Sequence, residues 1–398
     1  MRPDTFAADP VRWRAGDHER DHQHDDEVRM AHHHPDPRSP KPGDAHRHPA
    51  HARPTSELAD GWGHQLKPLD PIDVTKARTA SELLDAMSRT AFSGRSLGEA
   101  CEILVQMTQD EKCFVVGTFS GAMTIAKQGL MIAEMIDQGM LHAVVSTGAL
   151  MCHGLIEQSG HTHFRHDPNW TDEKLYEEGY CRVYDTLELE RNLEEAAEIM
   201  ESVLAEIPDG SAIGSHEMNW RIGEYVLRKG QSRGILQSAF RKQVPVYVPG
   251  FTDSELGLDA YCHNLLAREA GKQGLHVDLL RDIDDYYARC QKTERMGIFT
   301  IGGGVPRNWA QQVGPLGEIL ERRTEGRHGA YIRFHYAIRV CPEPVHWGGL
   351  SGCTYSEGVS WGKFVSEKEG GRHSEVYADA TVAWPLLLRG ALERLGRV

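Results

Sequence analysis

Gly297-Ile-Phe-Thr-Ile-Gly302-Gly303-Gly304-Val305-Pro306-Arg307-Asn308-Trp309 reads as a single strand–turn–helix unit. A short apolar run rich in β-branched and aromatic residues ends in three glycines, and the chain then opens a helix through Arg307, Asn308 and Trp309. Similar runs, most of them ending in a turn with Gly, Ser, Thr or Asp, occur on both sides of it. They are Cys113-Phe-Val-Val-Gly-Thr-Phe-Ser120, Ala143-Val-Val-Ser-Thr147-Gly148, Val244-Pro-Val-Tyr-Val248, Ala330-Tyr-Ile-Arg-Phe334 and Glu375-Val-Tyr-Ala378. Helical spacing lies between them. Asn192 to Ile207 puts Leu193, Ala196, Ala197, Met200, Val203 and Leu204 on one face, and Ala122 to Gln138 reads as a less regular helix. Strands alternating with helices predict an α/β fold, a mostly parallel sheet with helices on both faces. Ligands of such sheets bind at the carboxyl ends of the strands. Here those ends carry Ser120, Thr147, Gly148, Asp253, Gly302, Gly303, Gly304, Asp379 and Ala380, small or hydrogen-bonding residues that suit a nucleotide-sized crevice.

The chain has 398 residues, enough for one large domain with a tail, and 40% apolar residues supply a core. A formal net charge of −14 argues against nucleic acid as a partner and favours cationic ligands, of which polyamines are one class. Residues 1–55 gather His18, His22, His24, His32, His33, His34, His46, His48 and His51 among Asp, Arg and Pro, and read as a disordered His-rich tail. Residues 56–398 read as a single domain. The cysteines are scattered with no Cys-x-x-Cys pair, which indicates reduced thiols. No apolar run is long enough for a membrane span and the N-terminus lacks a signal-peptide core, so the expected compartment is the cytoplasm.

Three groups of residues could carry chemistry. The Gly302–Gly304 turn, at the start of a helix, lets backbone amides approach a phosphate, although a ligand-free tight turn explains it equally well. Gly348-Gly-Leu-Ser351-Gly-Cys-Thr-Tyr-Ser-Glu357-Gly-Val-Ser-Trp361-Gly-Lys363 brings a carboxylate, an indole and an amine together. A lysine whose pKa is lowered can act as a covalent amine nucleophile, with Glu357 moving protons and Trp361 excluding water or holding an ammonium group. On residue types alone, an exposed lysine at a helix end is the plainer reading. His153, His161, His163 and His166, with Asp167, have spacing seen in metal sites and raise a metal-dependent hydrolase as a rival class. No metal is assigned to the folded part.

Glu357-Gly-Val-Ser-Trp-Gly-Lys363, together with Thr252-Asp253, Gly302-Gly-Gly-Val305 and Tyr377-Ala-Asp-Ala-Thr381, resembles the deoxyhypusine synthase family over roughly residues 70–390. The loop Trp347-Gly-Gly-Leu-Ser-Gly352 is similar to that of its bacterial and archaeal synthase-like branch. The resemblance implies a Rossmann-like fold, a homotetramer, and NAD near subunit interfaces, contacting Ser120, Thr147, Gly148, Asp253, Gly302, Gly303, Gly304, Asp379 and Ala380. It implies a transferase that moves an aminobutyl-type group from a polyamine such as spermidine to an amine acceptor through an imine on Lys363. Glu357 would assist catalysis, with Trp361, Ser351, Asn308 and Asp259 lining the amine pocket. The chain departs from the eukaryotic pattern at Asn308, Leu258, Leu350, Cys152 and His153. A protein lysine as acceptor would make it a deoxyhypusine synthase, and putrescine would make it a homospermidine synthase. A catalytically silent NAD or polyamine binder is the alternative outside enzymes.

Overall fold

The computed structural model describes residues 55–398, so all but the last residue of the His-rich segment lies outside the described residues. Pro68–Val398 forms one compact unit. Of the unit before it, the described residues contribute a 3-10 turn, Thr55–Glu57.

Helices α1 (Ala80–Ser88) and α2 (Phe92–Gln109) precede strand β1 (Cys113–Phe119), and α3 (Gly129–Asp137) leads to β2 (Ala143–Ser146). The connection to β3 (Val246–Tyr247) is long and carries α4 (Gly148–Gln158), α5 (Asp172–Glu177), α6 (Glu190–Ala205), α7 (Ser215–Arg228) and α8 (Ile235–Lys242). It also holds a small antiparallel sheet in which Thr186–Leu189 runs between Phe164–Arg165 and Tyr180–Val183. Helices α9 (Glu255–Glu269) and α10 (Leu280–Cys290) precede β4 (Arg295–Ile301), and α11 (Gly304–Gln311) and α12 (Val313–Arg323) precede β5 (Phe334–Val340). Then come α13 (Tyr355–Ser360), β6 (Arg372–Val376) and α14 (Ala380–Arg394).

The main sheet is parallel throughout, in the order β3-β2-β1-β4-β5-β6. This is the doubly wound arrangement. The chain steps outward from β1 on one side, returns, and steps outward from β4 on the other, which opens a crevice at the carboxyl ends of β1 and β4. Successive strand residues enter different cores. Val115, Val144, Phe299 and Ile301 pack on one face with α2, α4 and α14, while Val116, Val145 and Ile298 pack on the other with α10 and α11. Burial on both faces explains why these strands are almost continuously apolar. At the amino ends of the strands the chain turns back toward β2 at Gly139, whose φ of +66° belongs to the left-handed region and which has open space where a side chain would stand. Among the described residues no helix is long and apolar enough to cross a membrane.

Two sequence expectations shift. The helix expected from Ala122 begins only at Gly129, because Lys127 takes a left-handed φ of +62° and breaks the first turn. The strand expected at Ala330–Phe334 starts at Phe334 and runs to Val340. Ala330–Arg333 leads into it, with Tyr331 exposed.

Candidate active site

Lys363 is fixed by its backbone before its side chain is considered. Helix α13 starts at Thr354, whose hydroxyl accepts from the Glu357 N–H at 3.0 Å. It stops at Gly362, left-handed at φ +69°, with Gly362 N–H donating to the Val359 carbonyl and Lys363 N–H to the Gly358 carbonyl. This paired closure is the Schellman stop, and Lys363 is its last member. From there the chain joins β5: Phe334 N–H donates to the Lys363 carbonyl and Val365 N–H to the Phe334 carbonyl, both at 2.9 Å. The lysine therefore hangs between a helix end and the central sheet.

Its side chain is half-buried and reaches Asn308 on α11, with Nζ donating to Oδ1 at 3.0 Å. Nζ also lies 5.9 Å from the centre of the Trp361 ring. The cavity around it, about 230 Å³, is lined by Arg307, Asn308, Leu350, Glu357, Trp361 and Lys363 among others. That is below the ~300–1,000 Å³ of drug-sized sites and on the scale of a short linear amine. Burial and the neighbouring Arg307 guanidinium push the Lys363 pKa down, against smaller upward pulls from Cys353 and Glu357. A lysine lowered in this way holds a larger neutral fraction, the form that attacks carbon.

Two buried arginines that local sequence patterns do not reveal shape the loop over this cavity. Arg307 donates through Nη2 to the carbonyls of Leu350 at 3.3 Å and Cys353 at 2.8 Å. Arg339, on β5, donates through Nη1 to the carbonyls of Ser351 and Cys353, both at 2.7 Å. Glu375 on β6 lies 3.5 Å from Arg339 Nη2 and also accepts from the Tyr355 N–H, which ties the start of α13 to the sheet. Hydrogen bonds to a charged group contribute ~1.5–3 kcal/mol each, offset by the cost of burying the guanidinium, so their main effect is to set the loop's shape.

At the crevice, Ser120 and the glycine turn meet directly. Gly303 N–H donates to Ser120 Oγ at 2.9 Å, and Gly302 N–H to the Val340 carbonyl at 2.9 Å. A Cβ on Gly303 would lie 2.7 Å from Ser351 Cα, so glycine there allows the Gly348–Cys353 loop to close onto the turn. These two amides are thus committed within the chain, whereas α11 begins at Gly303 with no side-chain cap on its first turn. Thr147 caps α4 by accepting from the Leu150 N–H. Gly148 packs against Ser254, next to the exposed Asp253, and Asp379 caps α14 at Ala380 by accepting from the Thr381 N–H.

Residues 82–391 match the family model described as deoxyhypusine synthase. The chain belongs to the deoxyhypusine synthase family. A Methanosarcina acetivorans protein named probable deoxyhypusine synthase 2 is 35% identical, over 82% of this chain and 90% of that protein. A Chlorobaculum parvum deoxyhypusine synthase-like protein is 29% identical, over 82% of this chain and 89% of its own length. In fold, the chain is similar to a crystal structure from Entamoeba histolytica provisionally named a deoxyhypusine synthase, with a TM-score of 0.51, 12% identity, and coverage of 81% of this chain and 96% of that one.

Within this family member, the structure gathers Lys363, Glu357, Trp361 and Asn308 in one cavity, and Ser351 beside the glycine turn. Leu350 lines the same cavity, so an apolar wall stands there. Leu258 and Asp259 lie on α9 and do not line it. Asp259 is pushed up to about 6 by burial and by Glu255 and Glu194, a set of carboxylates suited to a cation. Of the histidine group, His161 pairs with Glu195 at 2.6 Å and His166 lies 3.3 Å from the Trp170 carbonyl, while His153 and His163 converge on Glu188, a residue the sequence pattern did not single out.

Proposed function

We propose that this protein is an NAD-dependent transferase that moves an aminoalkyl group from a polyamine to an amine acceptor through an imine on Lys363. The observation that carries the reading is the half-buried Lys363 amine, lowered in pKa and held by Asn308 in a cavity shared with Glu357 and Trp361. Ser120, Thr147, Gly148, Asp253, Gly302–Gly304, Asp379 and Ala380 would hold NAD along the carboxyl edge of the sheet. The uncapped N-terminus of α11 at the β1–β4 crevice suits its pyrophosphate. The chemistry NAD supplies when bound is reversible hydride uptake at the carbon beside the donor nitrogen, which leaves the cycle redox-neutral.

Neutral Lys363 adds to that electrophilic carbon through its Nζ lone pair, and the smaller amine leaves as its C–N bond breaks. Glu357 carries the proton from Nζ to the departing nitrogen. The acceptor amine then adds to the Lys363 imine and releases the lysine. Trp361, 64% exposed, would stand at the mouth of the cavity and attract an ammonium group by its ring face. The Arg307 guanidinium disfavours a further cation beside Lys363, so Asp259, Glu255 and Glu194 would hold the distal ammonium groups. Because Asp259 does not line the Lys363 cavity of its own chain, the reading includes assembly of several copies, with the homotetramer implied by the family. Exposed Trp347, Leu350 and Val305 support a covered surface near that cavity.

The test is incubation with NAD and a panel of polyamines, followed by borohydride trapping and peptide mapping. An adduct on Lys363, absent in Lys363→Ala, is expected. No adduct with any amine sinks the mechanism. Product masses with putrescine, or with a lysine-bearing protein acceptor, decide between the two acceptor classes.

A further inference from the structure

A second constellation lies where α4 meets the small antiparallel sheet. His153 is on α4, His163 is in the segment leading into Phe164, and Glu188 is on the central strand Thr186–Leu189. One donor atom from each lies within 4.8 Å of the others. The side chains of His163 and Glu188 are 1% exposed, and that of His153 is 13% exposed. Glu188 divides its two oxygens. Oε1 accepts from Asn192 Nδ2 at 2.9 Å and from the Leu189 N–H at 2.8 Å. Oε2 faces the histidines, 2.6 Å from His163 Nε2 and 3.2 Å from His153 Nδ1.

An ordinary histidine–carboxylate pair would put the N–H on line with the oxygen. At His163 it does not. Nε2 is buried and has no hydrogen-bond partner despite its closeness to Oε2, so the ring nitrogen and the oxygen share a neighbourhood without sharing a proton axis. Buried polar atoms are rarely left so, and an unfilled ion position is one explanation of such a group. We propose that His153, His163 and Glu188 form a binding site for a divalent transition metal of the zinc type, with a water or other small ligand in the fourth position. Two imidazoles and one carboxylate suit zinc and its neighbours better than calcium or magnesium, which prefer all-oxygen shells. Zinc bonds of ~2.0–2.1 Å in a tetrahedron place the donors about 3.3 Å apart, so the 2.6 Å contact need open by less than about 1 Å. The partly exposed His153 side is the open one.

The supporting groups fit with one rearrangement. Asn192 and the Leu189 N–H orient the carboxylate from behind, as outer partners do in metal sites. Lys127 Nζ lies 3.0 Å from His163 Nδ1 and 2.6 Å from Glu157. Metal at Nε2 moves the imidazole proton to Nδ1, and Lys127 turns wholly onto Glu157. The ion would clamp α4 to the small sheet.

The experiment uses the full chain with histidine exchanged for glutamine at 18, 22, 24, 32, 33, 34, 46, 48 and 51, so that the tail cannot retain metal. After loading with zinc chloride and dialysis, one equivalent of zinc per chain is expected by elemental analysis, together with a higher thermal midpoint than in chelator. His153→Asn, the least buried change, and Glu188→Gln each lose the ion, with affinity down at least ~100-fold. Both keep the parent's circular dichroism and lack the zinc-dependent midpoint shift. Cobalt in place of zinc gives four-coordinate visible absorption in the parent alone. Lys127→Met raises affinity by removing the competing ammonium. Failure of the parent to retain zinc, or equal retention by His153→Asn, overturns the proposal and leaves a histidine–carboxylate ion pair.

Discussion

Gly148→Ala offers a test whose sign is decided by packing rather than by propensity. Gly148 is the first residue of α4, where alanine is the better helix former by up to ~1 kcal/mol, so on local grounds the change should stabilise. The structure says otherwise. A Cβ there would stand 2.1 Å from Ser254 Oγ and 2.6 Å from Ser254 Cβ, against about 3.4 Å for ordinary contact. The hydroxyl could rotate away at the cost of its bond to the Phe251 carbonyl, 2.8 Å, but the Cβ is fixed to the backbone. Helix α4 and the start of α9 must then part by about 0.8 Å, an overpacking cost of ~1–3 kcal/mol. The expected net result is a loss of about 1–2 kcal/mol, read from the urea midpoint. Ser254→Gly removes both clashing atoms and leaves Val248 Cγ1 at 3.5 Å as the nearest contact. The pair Gly148→Ala/Ser254→Gly should therefore recover at least half of the loss, with a coupling of ~1 kcal/mol or more. A single variant as stable as the parent, or a double variant no better than the sum of its parts, refutes the close approach of these two helix starts.

Gly362→Ala places a Cβ on a residue at φ +69°, costing ~1–2 kcal/mol, and displaces Lys363 with it; activity should fall further than the thermal midpoint suggests. Asp259→Asn should stabilise the protein above pH 6. The folded pKa of about 6 exceeds the ordinary 3.8, so the native state holds a proton the unfolded chain has released, and the stability this gives is lost as pH rises from 3.8 through 6. Discounted for partial exposure the gain is ~1 kcal/mol, and it should vanish in unfolding curves below pH 3.8. Amine labelling of Lys363 should titrate with a midpoint below 10.5, and Arg307→Gln should move that midpoint upward.

The strands were legible because burial on both sheet faces leaves runs such as Cys113–Phe119 nearly free of polar residues. β5 was misplaced for the converse reason. His335, Tyr336 and Arg339 make it look like a loop, and the carbonyls that satisfy Arg339 come from Ser351 and Cys353, which no local window contains. The Glu357–Lys363 segment could be read as a motif. Its mounting could not, since the bridge from Phe334 to Phe364 joins residues far apart in the chain. Glu188 went unnoticed because an acid in a short strand carries no signal until folding brings His153 and His163 to it.

The sheet's polarity leaves one end of the molecule without assigned duties. Gly139, at the return toward β2, has nothing within 4 Å of where its side chain would point. Solvent-facing tight bends of that kind accept insertions readily. A peptide epitope, a fluorophore or a surface tether spliced beside Gly139 would report on the protein from the rear of the sheet, leaving the Lys363 chamber and the strand tips at the front untouched.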